Sequence, residues 1–241
     1  FPTAIKQTEI DIYTLIINGV ECEPYITCDD ALMQHHAEEI ISGAEIIAHI
    51  IKARECIIAI EDNKPEAIAA IQKVVNDDST GFFRVQIVPT LYPSGGEKQL
   101  IQVITGKEVP LNGLPADIDV LCQNVATAYA IHNAIHKDEP LISRIVTVTG
   151  EGIEKPQNME VLIGTSMHDC IEQSGGYKQQ ATSLIMGGPM MGFALKDDLS
   201  PITKASNCLL VNIEDETPKR SSSQMPCIRC GHCVDVCPAR L

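Results

Sequence analysis

The sequence is poor in several kinds of residue, and each shortage disfavours a class of protein. It contains no Trp, and aromatic residues make up only 4% of the chain, so a platform for base stacking is not expected. Only 18 lysines and arginines stand against 32 aspartates and glutamates, which gives a formal net charge of −14. This charge balance argues against binding to nucleic acid or to an anionic lipid surface.

Long apolar runs are also missing. The most apolar stretch, residues 40–51, is interrupted by Glu45 and His49 and is too short to span a bilayer. No signal peptide is recognisable, so we expect any association with a membrane to come through partners. The 241 residues can form one large domain or two to three small ones, and a chain of this length needs no disulfide framework. We therefore interpret the ten cysteines as thiols of a reducing compartment.

The order of the predicted elements favours an α/β fold. Short β-rich runs at 13–17, 56–60 and 83–88 alternate with helical patterns at 31–51 and 66–75, which predicts a parallel sheet. Asp29 and Asp30 are predicted to cap the first helix, and Gly43 is predicted to break it into two. A helix at 97–105, a strand at 120–122 and a helix ending near residue 135 follow. No G-x-G-x-x-G fingerprint is present, so the domain is not a standard Rossmann fold.

From residue 142 the pattern changes to a small β-rich module. Strands are predicted at 145–149, 161–163 and 184–186, with a helix at 166–174. Residues 187–192 form the glycine-rich turn G-G-P-M-M-G, in which Met190 and Met191 are expected to be packing residues. A strand at 208–213 and a polar linker at 214–224 complete the chain before its last cysteines.

Two acidic residues follow the first predicted strand, in the segment N-G-V-E-C-E-P-Y at 18–25. In an extended conformation, Glu21 and Glu23 would face the same side. Carboxylates at the end of a buried strand can accept hydrogen bonds from ribose hydroxyls or from a carboxamide. The alternative is a solvated loop, because exposed acidic residues are the rule.

Two further segments follow strands and open helices. Gly95 and Gly96, in Y-P-S-G-G-E-K, predict either an anion or flavin contact at a helix start or a plain loop. Asn124 and Thr127, in C-Q-N-V-A-T, predict either a helix cap with a first-turn residue or ligand contacts. His35 and His36 are expected at the surface.

The end of the chain carries the most specific motif. It reads C-x-x-C-x-x-C-x-x-x-C-P, the run of bacterial iron–sulfur ferredoxins, whose fourth cysteine usually ligates a different cluster in two-cluster proteins. A structural zinc site is the alternative, but zinc sites more often use two separated C-x-x-C pairs, and no second pair is present. The remaining cysteines of the first half are predicted to be buried and inert. The predicted metal ligands are Cys227, Cys230, Cys233 and Cys237.

Taken in order, these motifs resemble the RnfC family, the peripheral subunits of the Rnf (Rsx) membrane electron-transport complex. They resemble more distantly the NADH- and flavin-binding subunit of respiratory complex I. F-P-T-A-I-K at 1–6 looks like the end of that family's glycine-rich loop, and residues 18–25 resemble its N-A-D-E-G-E-P-G stretch. Residues 92–98 resemble its Y-I-C-G-E-E segment, and 123–127 resemble its N-N-V-E-T segment. Residues 145–176 look like a soluble-ligand-binding β-grasp module.

The resemblance implies cofactors, partners and site residues. It implies FMN, NAD(H) and 4Fe–4S clusters, two of them in a longer parent protein, because both ends of the sequence look cut. It implies membrane and peripheral Rnf subunits as partners, with NADH and ferredoxin, at the cytoplasmic face of the bacterial inner membrane. Phe1 and Glu23 would contact the nicotinamide nucleotide. Flavin contacts are implied for Lys6, Asn18, Glu21, Gly95, Gly96 and Asn124, with Thr127 nearby.

The resemblance also implies three regions. Residues 1–141 would form a Rossmann-like flavin and nucleotide domain, 142–192 the β-grasp module, and 193–241 a linker with the start of a ferredoxin-type domain. Val20, Cys22, Gln123 and Ala126 depart from the complex I motifs, which predicts weaker flavin and nucleotide binding. Two other functions therefore stay open: a cluster-bearing docking subunit with a degenerate flavin site, and the flavoprotein subunit of a soluble NAD-linked oxidoreductase.

Overall fold

The computed structural model describes residues 12–213 and 226–237. The first half of the chain forms a four-stranded sheet in the order β3-β2-β1-β4, and every neighbouring pair of strands runs parallel. The predicted α/β fold with a parallel sheet is confirmed. The strands are β1 Thr14–Gly19, β2 Glu55–Glu61, β3 Phe83–Val88 and β4 Val120–Asn124.

Five helices cover the two faces of this sheet. Leu15 and Ile17 point into a core shared with four helices, whereas Ile16 points to the opposite face and packs near a single helix. This alternation of buried residues on both faces explains why the strands read as continuous apolar runs. The four helices of the first face are α1 Cys28–His35, α2 Ala37–Ile51, α3 Pro65–Asn76 and α5 Val125–His136, and the single helix is α4 Glu97–Thr105.

The first helical region divides at a different residue from the one predicted. The break between α1 and α2 falls at His36, and Gly43 lies within α2. A Cβ atom at Gly43 would lie only 1.9 Å from the carbonyl oxygen of Ala128, so this glycine allows α2 and α5 to pack backbone to backbone. The predicted capping role of Asp29 and Asp30 is also wrong, because both lie in the first turn of α1.

The second half contains a five-stranded sheet in the order β6-β5-β9-β7-β8. Only β5 and β9 run parallel, and the other neighbours are antiparallel. The helix α6, Met167–Gln173, contributes to the core of this module. Two of the strands, including the central β9, follow the residues 142–192 that were assigned to the module. The strands are β5 Ser143–Thr149, β6 Gln157–Leu162, β7 Ser183–Met186, β8 Phe193–Leu195 and β9 Cys208–Asn212.

The two sheets are joined by the start of α1 and the residues before it. Ile26 and Cys28 pack with Cys208 and Leu210 of β9 in one buried cluster. The backbone amide of Thr27 donates a hydrogen bond to Thr147 Oγ1 at 3.1 Å. The β-grasp module therefore packs directly on the segment that follows β1.

The cysteine run lies in a separate short segment. Its only helix is the single turn α7, His232–Asp235, which begins after Gly231 in the left-handed conformation. Residues 226–236 are exposed. Among the residues that the structure describes, no helix is both long enough and apolar enough to cross a bilayer.

Candidate functional site

The predicted site residues converge on the carboxyl-terminal edge of the parallel sheet, called here the sheet edge. The chain leaves β1 toward β2 and β3 and then returns to β4 on the other side of β1. Strand order reverses at this point, and such a reversal opens a crevice outside the carboxyl ends of the strands. The fold alone thus places a ligand site beside the ends of β1 and β4.

Asn18 and Asn124 lie side by side at this reversal, one at the end of each strand. Asn124 Oδ1 accepts the amide of Ala126 at 2.8 Å and caps α5, so the predicted cap is confirmed. Asn124 Nδ2 donates to Asp29 Oδ2 at 2.6 Å. Asn18 Oδ1 accepts the amide of Val20, and its Nδ2 donates to the Gly95 carbonyl. Thr127 lies half-buried in the first turn of α5.

Glu21 and Glu23 do not face the same side. The acidic loop, residues 20–27, turns at 23–25, so the two side chains bind different parts of the protein. The Glu21 side chain is only 5% exposed, which rules out the alternative of a solvated loop for this residue. Its Oε1 accepts the amide of Asp29 at 2.9 Å, and its Oε2 accepts the amide of Asp30 at 3.3 Å. Glu21 therefore caps α1 from a distance of eight residues along the chain.

Burial changes the ionisation of this part of the site. Loss of solvent and the charge of Asp29 raise the pKa of Glu21 to about 7, although amide hydrogen bonds and Lys64 oppose the shift. Burial also raises the pKa of Asp29 and of the Cys28 thiol. One ligand atom of each of these residues, Glu21, Cys28 and Asp29, lies within 4.8 Å of the others, a spacing that could hold a metal ion. Hydrogen bonds to backbone amides and to Asn124 already engage both carboxylates.

Lys64 balances these carboxylates and was missed by the sequence reasoning. Its ammonium lies 3.5 Å from Glu21 Oε2 and 3.8 Å from Asp30 Oδ2, and the side chain is 9% exposed. Such a nearly buried lysine requires anionic partners. The available signal was its position just before Pro65, in the connection that follows β2 at the sheet edge.

Glu23 binds the β-grasp module. Its Oε2 accepts the backbone amides of Met190 and Met191 at 3.0 and 3.2 Å, within the glycine turn, residues 187–192. A Cβ atom at Gly188 would lie 2.1 Å from the same carboxylate oxygen, so only glycine fits there. Met190 and Met191 are 54% and 74% exposed, so the prediction that they pack in the core is wrong. Their amides serve the turn while their side chains face solvent.

The glycine pair brings a second loop against the acidic loop. A Cβ atom at Gly95 would lie 2.5 Å from the Val20 carbonyl oxygen and 2.9 Å from Cys22 Sγ. Gly96 is the residue before α4, as the pattern predicts. Cys22 is half-buried, whereas Cys28, Cys56 and Cys122 are buried as predicted.

Two buried polar side chains at the same edge were not singled out from the sequence. Glu61 is the last residue of β2 and is fully buried, and Ser94 precedes the glycine pair and is 8% exposed. Neither carboxylate oxygen of Glu61 nor the Ser94 hydroxyl has a hydrogen-bond partner among the described residues. A carboxyl at the end of an otherwise apolar strand was the signal that could have identified Glu61. Orphaned polar atoms here fit a ligand with hydrogen-bonding edges, as a flavin has.

The cysteines have the local geometry of a thiolate run. Cys227, Cys230 and Cys233 are exposed, and Cys237 is half-buried. The amide of Arg229 donates to Cys227 Sγ at 3.4 Å, which is the direction of bonding that a thiolate ligand needs. Their role as cluster ligands stays a prediction. Phe1 and Lys6, predicted to contact nucleotide and flavin, lie outside the described residues.

Comparison with known families supports the site. The family described as the Nuo51 FMN-binding domain matches residues 1–133, and the SLBB domain family matches residues 145–194. In a solved structure of NAD+-reducing NiFe-hydrogenase in the H2-reduced state, one chain superposes with a TM-score of 0.71 and 18% identity. The superposition covers 88% of this chain and 43% of that chain, and it shows a shared fold.

Curated relatives extend over the whole sequence. The chain is 48% identical to the RnfC-type subunit of the ion-translocating oxidoreductase complex of Pseudomonas aeruginosa, across 100% of this chain and 31% of the relative. The corresponding protein of Rhodobacter capsulatus is 46% identical across 100% of this chain and 46% of the relative. The chain thus spans less than half the length of these relatives. It belongs to the Nuo51 FMN-binding domain family, and the predicted resemblance to the RnfC family of ion-translocating oxidoreductase complexes is confirmed.

Proposed function

We propose that the chain is part of a peripheral electron-transfer subunit of an ion-translocating oxidoreductase complex. In this proposal NADH donates electrons, FMN and 4Fe–4S clusters carry them, and partner subunits of the Rnf type receive them at the cytoplasmic face of the bacterial inner membrane. The main support is the match to an FMN-binding family whose predicted contacts meet at the strand reversal of the sheet edge. Ferredoxin is a further proposed partner.

The residues of the sheet edge would hold FMN. Asn18 and Asn124 fix the two loops that border the crevice, and Gly95 lets the backbone approach closely. Lys6 and Thr127 are proposed as further flavin contacts, and Phe1 and Glu23 as contacts of the nicotinamide nucleotide. When bound, FMN supplies the conversion between a two-electron hydride and single electrons. The protein supplies position, exclusion of water and electrostatics.

The cysteine run would hold the iron. Cys227, Cys230 and Cys233 are proposed to ligate one 4Fe–4S cluster, and Cys237 a second cluster of the longer protein. The exposure of this segment suits a cofactor that must exchange electrons with other groups. A cluster when bound supplies one-electron transfer.

One observation favours a second candidate function. The polar groups of Asn18, Glu21 and Asn124 are already engaged by hydrogen bonds within the protein. A site whose predicted contact groups are occupied is consistent with a docking subunit that carries clusters and no flavin. Binding of FMN distinguishes the two candidates.

The test uses the whole subunit, purified without oxygen, and its visible spectrum before and after NADH. We expect a flavin band on a broad iron–sulfur shoulder, both bleached by NADH. A shoulder without flavin, unchanged by NADH, would favour the docking subunit. Colourless protein that contains zinc would contradict both.

A matched pair of variants assigns the shoulder. Cys230→Ser should reduce the iron–sulfur absorbance and leave FMN in place, because only the cysteine run is altered. Cys56→Ser changes a buried thiol of β2 and should leave the iron content unchanged. Equal loss of iron in both variants would contradict the assignment.

A further inference from the structure

The carboxyl of Glu61 is the least satisfied polar group of the sheet edge. It is fully buried at the end of β2, and neither oxygen has a hydrogen-bond partner in the part of the chain that the structure describes. Ser94, 8% exposed, presents an equally unpartnered hydroxyl. A buried polar group without a partner costs about 1–3 kcal/mol. Two such groups at one edge of a sheet require a physical explanation.

The charges around Glu61 do not satisfy it. Lys64, the nearest cation in sequence, directs its ammonium to Glu21 and Asp30. The titratable groups that act on the Glu61 carboxyl are Lys64, which lowers its pKa, and Asp62, which raises it. On the acidic loop, the Cys22 thiol has its pKa raised by burial and by the negative charge of Glu61. Burial dominates at Glu61 and raises its pKa, so the neutral acid, with one O–H donor, is favoured.

The position of Glu61 relates it to the proposed flavin contacts. Ala59 belongs to the buried cluster on the face that α4 covers, and Glu61 lies two residues further along the same strand, on the same face. Asn18 is level with Ala59 in the neighbouring strand and holds the Gly95 carbonyl. Glu61 is therefore on the face, and at the end, where the glycine-pair loop meets the sheet.

We propose that Glu61 is a contact residue of the cofactor site, whose neutral carboxyl donates a hydrogen bond to an acceptor atom of the isoalloxazine ring, with the Ser94 hydroxyl as a second polar contact. This inference deepens the proposed function and rests on it. A residue kept only for stability would have its hydrogen bonds made within the protein, as Glu21 does. Glu61 has none among the described residues, so its partner must come from outside them.

The test is a fluorescence titration of FMN into the whole subunit stripped of flavin. Glu61→Leu removes the donor and should weaken binding by about tenfold, which corresponds to about 1.4 kcal/mol. Glu61→Gln keeps a neutral donor and should bind within about threefold of the wild type. Glu66→Gln, on the exposed start of α3, is the control and should bind like the wild type.

A stability measurement separates a contact residue from a structural one. Without flavin, Glu61→Leu should melt at the same temperature as the wild type or higher, because it replaces an unpartnered buried carboxyl. A lower melting temperature for both Glu61 variants, with parallel losses of FMN binding, would overturn the inference. So would Glu61→Leu protein that binds FMN like the wild type.

The dependence on pH gives a further readout. As pH rises through the raised pKa of Glu61, the wild type should lose affinity for FMN, whereas Glu61→Gln should lose less. Comparison of the two proteins cancels the titration of the FMN phosphate and of Cys22. Identical pH profiles would overturn the role of the carboxyl proton. Wild-type protein that binds no FMN at any pH would overturn the proposed function itself, a result distinct from unchanged variants.

Discussion

The carboxylates at the sheet edge fall into two groups that burial alone does not distinguish. Glu21 is 5% exposed, and two backbone amides, a thiol and an ammonium contact it. Glu61 is at least as buried, and within the described chain nothing forms a hydrogen bond with it. Burial raises the pKa of both. The difference teaches that a raised pKa marks a buried carboxyl, whereas the number of partners tells whether the fold or a ligand uses it.

The largest effect is expected for the partnered carboxylate. Glu21→Ala leaves the amides at the start of α1 without their acceptor and Lys64 without its main partner. We expect it to lower the free energy of unfolding by about 3–5 kcal/mol at pH 8, because one partner of a buried pair is removed. Urea denaturation measures this, with Glu38→Ala on the exposed face of α2 as the control. Equal losses for the two variants would remove the distinction between the groups.

Glu23 extends the comparison to the contact between the modules. Gly188→Ala would place a methyl group against the Glu23 carboxylate and is expected to lower the unfolding free energy by about 1–3 kcal/mol. In a Glu23→Ala background the same substitution should cost clearly less, because the carboxylate that it meets is gone. The double-mutant cycle uses thermal or urea denaturation. Strict additivity would show that Glu23 does not bind the glycine turn.

The raised pKa of Glu21 predicts how stability changes with pH. Folding raises this pKa from 4.5 to about 7, so the folded protein keeps a proton that the unfolded chain releases. Stability should therefore fall as pH rises from 4.5 to about 7, with a slope of at most about 1.4 kcal/mol per pH unit.

Glu21→Gln has no titrating carboxyl and should flatten this slope. Urea midpoints measured from pH 5 to 8 compare it with the wild type, and Glu38→Gln provides the control. A wild-type slope that survives in Glu21→Gln would assign the titration to another group.

Two buried serines reproduce the comparison with uncharged groups. Ser174 Oγ donates to the Cys170 carbonyl at 3.0 Å, whereas the Ser94 hydroxyl has no partner among the described residues. Ser174→Ala should lower the unfolding free energy by about 0.5–1.5 kcal/mol. Ser94→Ala should leave the flavin-free protein unchanged or slightly more stable. Urea denaturation of the two variants decides this, and a larger loss for Ser94→Ala would contradict the ordering.

The sequence was informative wherever the cause of a structure is local. Alternating apolar runs and helical periods predicted the parallel sheet, and Asn124 was predicted as a cap because a cap bonds to a residue two positions away. Pro65 likewise begins α3, as its fixed backbone angle favours. These signals operate within one turn or one strand.

The remaining features depend on contacts between distant parts of the chain. Gly43 looked like a helix breaker, but its role is set by Ala128 on another helix. Glu21 and Glu23 looked alike, but their partners lie on α1 and on the glycine turn. Glu61 looked like an ordinary polar end of a strand. None of these outcomes follows from neighbouring residues, because each is decided by which elements pack together.

The contacts of the acidic loop also determine the order in which the chain can finish folding. Thr27 bonds to Thr147, 120 residues away, and Glu23 bonds to Met191, 168 residues away. Contacts so distant in sequence form late, because long stretches of chain must be ordered first. During synthesis, the residues between β1 and α1 emerge early but complete their packing only once β5 and the glycine turn exist. The last part of the nucleotide domain to become native is therefore one of the first to be made.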